Sequence, residues 1–283
     1  MAAPKESIEQ ARHRPGTVLA RFQAGNSLGG AMEPLMPAGD SAVIGALSRK
    51  MASSGLLSPD ESAVLRSFEA NPRPLRRRQE FITEGRKYQN LFVILEGISI
   101  RYRVLRNGTR QIVGIILPGD FAGVPGCLFE SALYSVRTLT DSVVSPVPLT
   151  RVIELFDIQP RLAAKLFWSF TCDAAVFAER LIAVGRLSAL ERVAHFVIEL
   201  LTRMQAIGLA DERSFAIPLT QELIGDALGL SVPHVNRVLR QLRDDEILKI
   251  KEGTVIVKDV DALSELADFE RTYLQPLSVS ELF

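Results

Sequence analysis

Arg237, Arg240 and Arg243 recur at every third residue, and His234 and Asn236 stand beside them with no carboxylate anywhere between positions 231 and 243. A guanidinium offers two parallel N–H donors, and a carboxamide pairs one donor with one acceptor. These are the patterns that match the major-groove edges of guanine and adenine. At about 100° per residue on a helix, Arg237 and Arg240 share a face with Pro233, while His234 and Asn236 flank it. Val235, Val238, Leu239 and Leu242 point the other way. The spacing separates a positive, outward face from an apolar, inward one.

Such a helix needs a partner to hold it, and the residues upstream supply one. Residues 221–228 read as a first helix, Gly229 as a turn residue free to adopt a left-handed conformation, and 231 or 232 to 244 as the second helix. Ile224, Leu228, Leu230, Val235 and Val238 fall where two crossing helices interlock, with Gly225 at the crossing. This is helix-turn-helix spacing. Pro233 fits the first turn of the second helix, where amide groups have no intrahelical partner. The predicted DNA-contacting set is Thr220, Gln221, Ser231, His234, Asn236, Arg237 and Arg240. "ILKIKEGTVIVKD" follows as two short β runs. It is either a wing whose Lys249 and Lys251 touch phosphates or a plain hairpin that closes the domain.

Bulk composition does not advertise that chemistry. Lysine plus arginine equals aspartate plus glutamate at 33 each in 283 residues, so any basic surface is local. The two cysteines, Cys127 and Cys172, form no disulfide framework and cannot by themselves hold an iron–sulfur cluster. No apolar run approaches the roughly 20 residues that span a bilayer, and the N-terminus lacks a secretory core. A soluble, cytoplasmic protein of two domains is expected.

Residues 1–40 alternate Gly, Ala, Pro and Met without a period and read as a flexible N-terminal extension; Met36 would also make a sensible start. "SPDE" at 58–61 is a capping box opening a short helix through Phe68. The basic run Arg76-Arg77-Arg78 reads as a solvated edge, with a binding patch as the alternative. Residues 80–148 change texture: "LFVILEG", "ISIRYRVL", "RQIVGIIL" and "SVVSPVPL" are β-rich and punctuated by glycines, which points to a small antiparallel barrel or jelly roll. "VLRNGTRQIV" reads as a hairpin in which Asn107-Gly108 supplies the positive φ values of a tight turn.

Pro160 opens a long helix to about Gly185, on which Ala163, Phe167, Phe170, Ala174, Phe177, Leu181 and Val184 step by 4, 3, 4, 3, 4, 3. A helix buried in a monomer also shows an apolar stripe. The strict alternation favours the seam of a parallel dimer. Ser188 caps a further helix whose Val193, Phe196, Val197, Leu200 and Leu201 face a core, and His195 inside it reads as structural.

A β-rich sensor, a dimer helix and a C-terminal winged helix-turn-helix, in that order, resemble the Crp/Fnr family of bacterial transcription regulators. The resemblance spans about residues 42–266 and is most specific in "LTQELIGDALGLSVPHVNRVLRQL"; "LEG", "NGTRQIVGIILPGDFAG" and "TDS" match the family's β-roll. It implies an α+β chain that is not an enzyme. Residues 41–158 would form a β-roll (jelly-roll, cyclic-nucleotide-binding-like) sensor domain, 159–187 the dimerisation helix and 188–275 a winged helix-turn-helix DNA-binding domain. The partners would be double-stranded DNA, a second copy of the chain and RNA polymerase, with no membrane.

Departures from the family narrow the ligand. Cyclic-nucleotide-binding relatives place Gly-Glu after the "PGDF" turn and Arg-Ser a few residues on. Here Gly123 is followed by Val124-Pro125, and Ala132 and Leu133 stand where Arg-Ser would. No cofactor is expected, neither cyclic AMP nor haem, and the expected effector pocket is Gly123, Val124, Arg137 and Cys172, unusual or vestigial. The alternative is a haem- or thiol-based redox sensor using Cys127 or Cys172. Metal-dependent jelly-roll enzymes need histidine ligands, and residues 80–148 contain none. Many relatives also carry a glutamate in the first turn of the recognition helix, where this chain has Pro233, so a different half-site is implied.

Overall fold

A computed structural model describes residues 45–124 and 126–275. The expected extension of residues 1–40, with the alternative start at Met36, lies outside the described residues. Helix α1 (Ala46–Ala52) leads into α2 (Pro59–Glu69), which the SPDE capping box opens as expected. The Glu61 amide donates to the Ser58 hydroxyl (3.1 Å), and the Ser58 amide donates to the Glu61 carboxylate (2.7 Å).

Eight strands follow: β1 (Arg73–Leu75), β2 (Glu80–Ile82), β3 (Asn90–Glu96), β4 (Ser99–Val104), β5 (Arg110–Ile116), β6 (Phe121–Ala122), β7 (Ser135–Thr138) and β8 (Ser142–Pro148). They make two four-stranded antiparallel sheets ordered β1-β8-β3-β6 and β2-β7-β4-β5. The four strands legible in the sequence are β3, β4, β5 and β8. The others have only two to four residues, too few to show a period.

The β4–β5 hairpin forms as expected, but its turn differs. Only Gly108 has positive φ (+82°), the Gly108 amide donates to the Leu105 carbonyl (2.9 Å), and the Leu105 amide donates to the Thr109 carbonyl (2.8 Å). That is a three-residue loop ending in a left-handed glycine rather than a two-residue turn with two positive φ values. The Asn107 side chain instead accepts from the Thr109 amide (3.1 Å), a local bond that holds the loop.

Helix α3 (Leu149–Ile158), which the sequence did not mark, turns the chain into α4 (Pro160–Arg186). Helix α5 (Ala189–Ala206) starts on a second capping box, Ser188 with Glu191. Strand β9 (Ser214–Ala216), α6 (Gln221–Leu228), α7 (Val232–Asp244), β10 (Leu248–Lys251), β11 (Thr254–Val257) and α8 (Val260–Leu266) complete the C-terminal part, with a three-stranded sheet ordered β10-β11-β9. No helix of the described residues is long and apolar enough to cross a membrane.

The β-roll and the C-terminal part share one apolar core. Ile100, Tyr102, Ile112 and Ile115 of the β2-β7-β4-β5 sheet pack into the same cluster as Phe196, Leu200, Phe215 and Ile224. Strand β4 is buried from Ser99 through Tyr102, so both of its faces are covered. A second core joins α1, α2 and the start of α4 to β3.

Helix α4 corrects the expected seam. Ala163 is buried in the second core, Phe170 meets Phe121 edge-to-face (centroids 5.6 Å apart), and Phe177 lies under the Arg101 guanidinium at 5.6 Å. Phe167 (64% exposed), Ala174, Leu181 (74%) and Val184 face outward, joined by Ala178 and Ile182. The two alternating rows of a 3.5-residue stripe straddle its centre line. Here the 163-170-177 row turns onto the chain's own sensor, and the 167-174-181 row is left uncovered.

Candidate nucleic-acid interface and sensor site

The helix-turn-helix depends on one close approach. A β-carbon on Gly225 would come within 2.6 Å of the Leu230 carbonyl oxygen, so only glycine lets α6 cross the turn at this distance. Gly229 supplies the left-handed turn (φ 68°, ψ 34°), and Leu228, Leu230, Val235 and Val238 fill the angle between the helices. Proline sits in the first turn of α7, as the sequence requires.

On α7, Val235, Val238 and Leu242 are buried, whereas Ser231, Asn236, Arg237 and Arg240 are exposed and His234 is half-buried. Thr220 caps α6, its hydroxyl accepting from the Leu223 amide (3.1 Å) and keeping its own proton available. The Asn236 carboxamide donates to Gln221 Oε1 at 3.4 Å, which ties the recognition helix to the start of α6. A cleft of about 380 Å³ runs beside these groups, lined by Thr220, Gln221, Asn236, Arg240, Arg243 and Ile250. Of the sequence-predicted polar set, Thr220, Gln221, Asn236 and Arg240 line this cleft, and Ser231, His234 and Arg237 do not. The hairpin β10–β11 carries exposed Lys249 and Lys251 beside it, in a tight turn where Glu252 and Gly253 both have positive φ.

Helix α6 also touches the sensor. Arg110 of β5 holds Asp226 through Nε (2.7 Å) and Nη2 (2.5 Å), and the Gln111 carboxamide donates to the Ala227 carbonyl (3.2 Å). Neither contact is legible in the sequence, because the partners are 116 residues apart.

The β-roll interior is nearly closed. Gly123 and Val124 line a cavity of only about 10 Å³ together with Ile82, Tyr88, Ala132 and Val136. That is the limit for one water, about 10–15 Å³. Arg137, expected in this pocket, does not line it. Val136 faces the cavity, and the next residue of a strand points to the opposite face, where the Arg137 guanidinium stacks over the Tyr102 ring (5.6 Å). Cys172, expected there too, lines a different and larger cavity. The four expected effector residues therefore do not form one site.

Beneath the roll lies a buried charge network that sequence reasoning missed. Glu199 accepts from Arg180 (3.1 Å) and Arg203 (3.1 Å), Arg203 continues to Asp120 (3.1 Å), and Lys50 closes on the other Asp120 oxygen. Burial opposes ionisation of both carboxyls, but the Lys50 and Arg203 charges on Asp120, and those of Arg180 and Arg203 on Glu199, outweigh it and hold both below their ordinary values. The available signal was Glu199 and Arg203, an i,i+4 pair inside an apolar stretch of α5. Arg101 is also buried, pairs with Asp173 (3.5 Å) and borders the small cavity.

Burial pushes the Cys127 and Cys172 thiols up to about 11. A reactive sensor thiol is shifted the other way. His195 is buried edge-to-face on Phe269 (5.5 Å), and burial holds its ring below the usual imidazole value, so it packs as a neutral side chain.

Two family models match the chain: "Cyclic nucleotide-binding domain" over residues 72–159 and "Crp-like helix-turn-helix domain" over residues 191–266. Among curated relatives, "Transcriptional activator protein FnrA" of Stutzerimonas stutzeri is 27% identical over 195 residues, covering 69% of this chain and 80% of that protein. "Anaerobic regulatory protein" of Pasteurella multocida is 26% identical over 203 residues, 72% of this chain and 74% of that one. Among solved structures, FixK2 from Bradyrhizobium japonicum superposes with a TM-score of 0.62 at 26% identity, over 69% of this chain and 96% of that one.

Proposed function

The chain belongs to the Crp/Fnr family of transcription regulators, which bind DNA through a helix-turn-helix, and from that premise we propose that it acts in the cytoplasm as a homodimer on a two-fold symmetric promoter site. The observation that carries the proposal is the outward side of α7: Arg237 and Arg240 are exposed on the face opposite the buried Val235, Val238 and Leu242, with Asn236 exposed on its flank and the N-cap Ser231 exposed at its start. In this reading Arg237 grips a guanine, Asn236 and Arg240 read neighbouring positions, and the Thr220 hydroxyl and Gln221 anchor a phosphate. Two copies of α7 about 34 Å apart would meet half-sites one helical turn apart. RNA polymerase is the natural second partner of a promoter-bound dimer.

Dimerisation is supported by the uncovered row on α4. Phe167, Ala174, Ala178 and Leu181, with the exposed Thr171 between the first two, follow a 4, 3, 4, 3 spacing, and Phe167 and Leu181 are large apolar side chains more than half exposed. Ala174 and Ala178 leave room for a second helix to approach closely. Leu181→Lys is expected to yield monomers by light scattering, because each copy forfeits about 1.5–3 kcal/mol of apolar burial and places a charge in the seam; an intact dimer would refute the assignment.

Arg237→Ala tests the reading itself. Gel shift at fixed salt should show a loss of about 1–3 kcal/mol per half-site and relaxed preference at one base pair. Unchanged specific binding would show that α7 does not enter the groove as proposed.

A further inference from the structure

The β-roll cavity at Gly123 and Val124 holds no more than about one water, but the molecule has another cavity of about 430 Å³, within the roughly 300–1,000 Å³ of small-molecule sites. All three parts of the chain build it. Lys50, Leu117 and Asp120 come from the sensor side, Trp168, Cys172 and Val176 from α4, and Arg203, Ile207 and Arg271 from the C-terminal part. Its lining fixes the chemistry it would accept. The walls are apolar and aromatic at Leu117, Trp168, Val176 and Ile207. The acids inside already have partners, Asp120 in Lys50 and Arg203, and Asp173 in Arg101. Arg271, exposed on the lining, has no carboxylate partner among the described residues. An incoming cation would find both acids taken, whereas an anion would find a guanidinium that no described carboxylate engages, with an apolar slot behind it.

We propose that this cavity is the effector site and that it takes a small amphipathic organic acid, its carboxylate on Arg271 and its apolar or aromatic body against Trp168. The site differs from the β-roll pocket that the cyclic-nucleotide-binding family model covers, since most of its lining lies outside residues 72–159. A ligand held by sensor, α4 and C-terminal part at once binds with an affinity that depends on how they are arranged. By linkage it biases that arrangement, and with it α7. This regulatory role rests on the DNA-binding reading; ligand binding itself does not.

Trp168 is the chain's only tryptophan and lines this cavity, so its emission reports ligand entry without interference from another tryptophan. The full-length protein is titrated to millimolar concentration with 3-phenylpropionate and hexanoate, and in parallel with their amides. The expected result is a saturable change with the acids and at least roughly tenfold weaker binding of the amides, the difference of one charge-assisted contact. Arg271→Gln should weaken the acids to the level of the amides and leave the amides unchanged. Ala206→Phe, at the exposed end of α5 on the lining, should abolish the response while circular dichroism shows the fold intact. No saturable change, equal affinity for acid and amide, or binding that survives Ala206→Phe would each overturn the site. In a gel shift the acid should change DNA affinity severalfold. Binding without that change would overturn the regulatory role, and an Arg237→Ala protein that still bound DNA specifically would instead overturn the DNA-binding reading.

Discussion

Along α7 the polar groups face outward and make few bonds within the chain, whereas beneath the β-roll each buried charge is paired with another. Asn236 has one long hydrogen bond to Gln221, and Arg237 and Arg240 are exposed. Glu199, Arg180, Arg203, Asp120 and Lys50 instead form one linked chain of ion pairs with little exposure. The difference teaches which polar groups are available to a partner and which already serve the fold. A charged side chain near a site is a poor guide unless its own partner is known. Arg137 stands near the expected ligand in sequence yet stacks on Tyr102, while Arg271 belongs to no motif and is unpaired among the described residues.

The sharpest way to break that contrast is to remove one member from each region. Glu199→Ala leaves Arg180 buried without a carboxylate and Arg203 with Asp120 alone, and urea denaturation should show a loss of about 3–5 kcal/mol. Arg237→Ala removes a larger side chain yet should change stability by less than about 0.5 kcal/mol, its whole effect appearing in DNA binding. Comparable stability losses would mean that the α7 arginines serve the fold as much as the buried network does.

The same contrast has a pH dependence. Asp120 and Glu199 titrate in the folded chain below their unfolded values, so their contribution is fully present above about pH 4.5. It is lost as the pH falls through the folded values. His195 titrates below its unfolded value for the opposite reason, since its neutral form is the buried one. The unfolded chain takes up that proton first, and stability should begin to decline below about pH 6.5. His195→Phe should flatten the decline that begins below about pH 6.5.

What is legible in the sequence follows the same division. The helix-turn-helix is local: Thr220, Gly225, Gly229, Pro233 and the α7 face fall within one short span, and period, turn chemistry and charge all agree there. Strands β3, β4, β5 and β8, with six or seven residues each, are legible for the same reason. The cavities are not, because each is lined by residues far apart in the chain. Whether Val136 or Arg137 faces inward is set by strand register, and Cys172 reaches its cavity only through the path of α4. The α4 stripe is apolar as its period predicts, but one period cannot say which of two surfaces covers each row. The chain's own sensor takes Ala163, Phe170 and Phe177, leaving Phe167, Ala174 and Leu181 outside.

The smallest expected effect probes the joint between the two regions. Arg110 on β5 and Asp226 on α6 are the charged pair that links the sensor hairpin to the helix-turn-helix, and both side chains are partly exposed (23% and 28%). Such a pair is worth about 0.2–1 kcal/mol in stability, so Arg110→Gln and Asp226→Asn should each shift the unfolding midpoint only slightly. Their coupling is the informative quantity. If the bridge holds α6 on β5, the double variant should lose no more than either single one, and all three should alter DNA affinity by the same factor. Strictly additive losses would mean that the docking rests on the shared apolar core of Ile112, Ile115 and Ile224, and that the sensor reaches α7 through packing rather than through this pair.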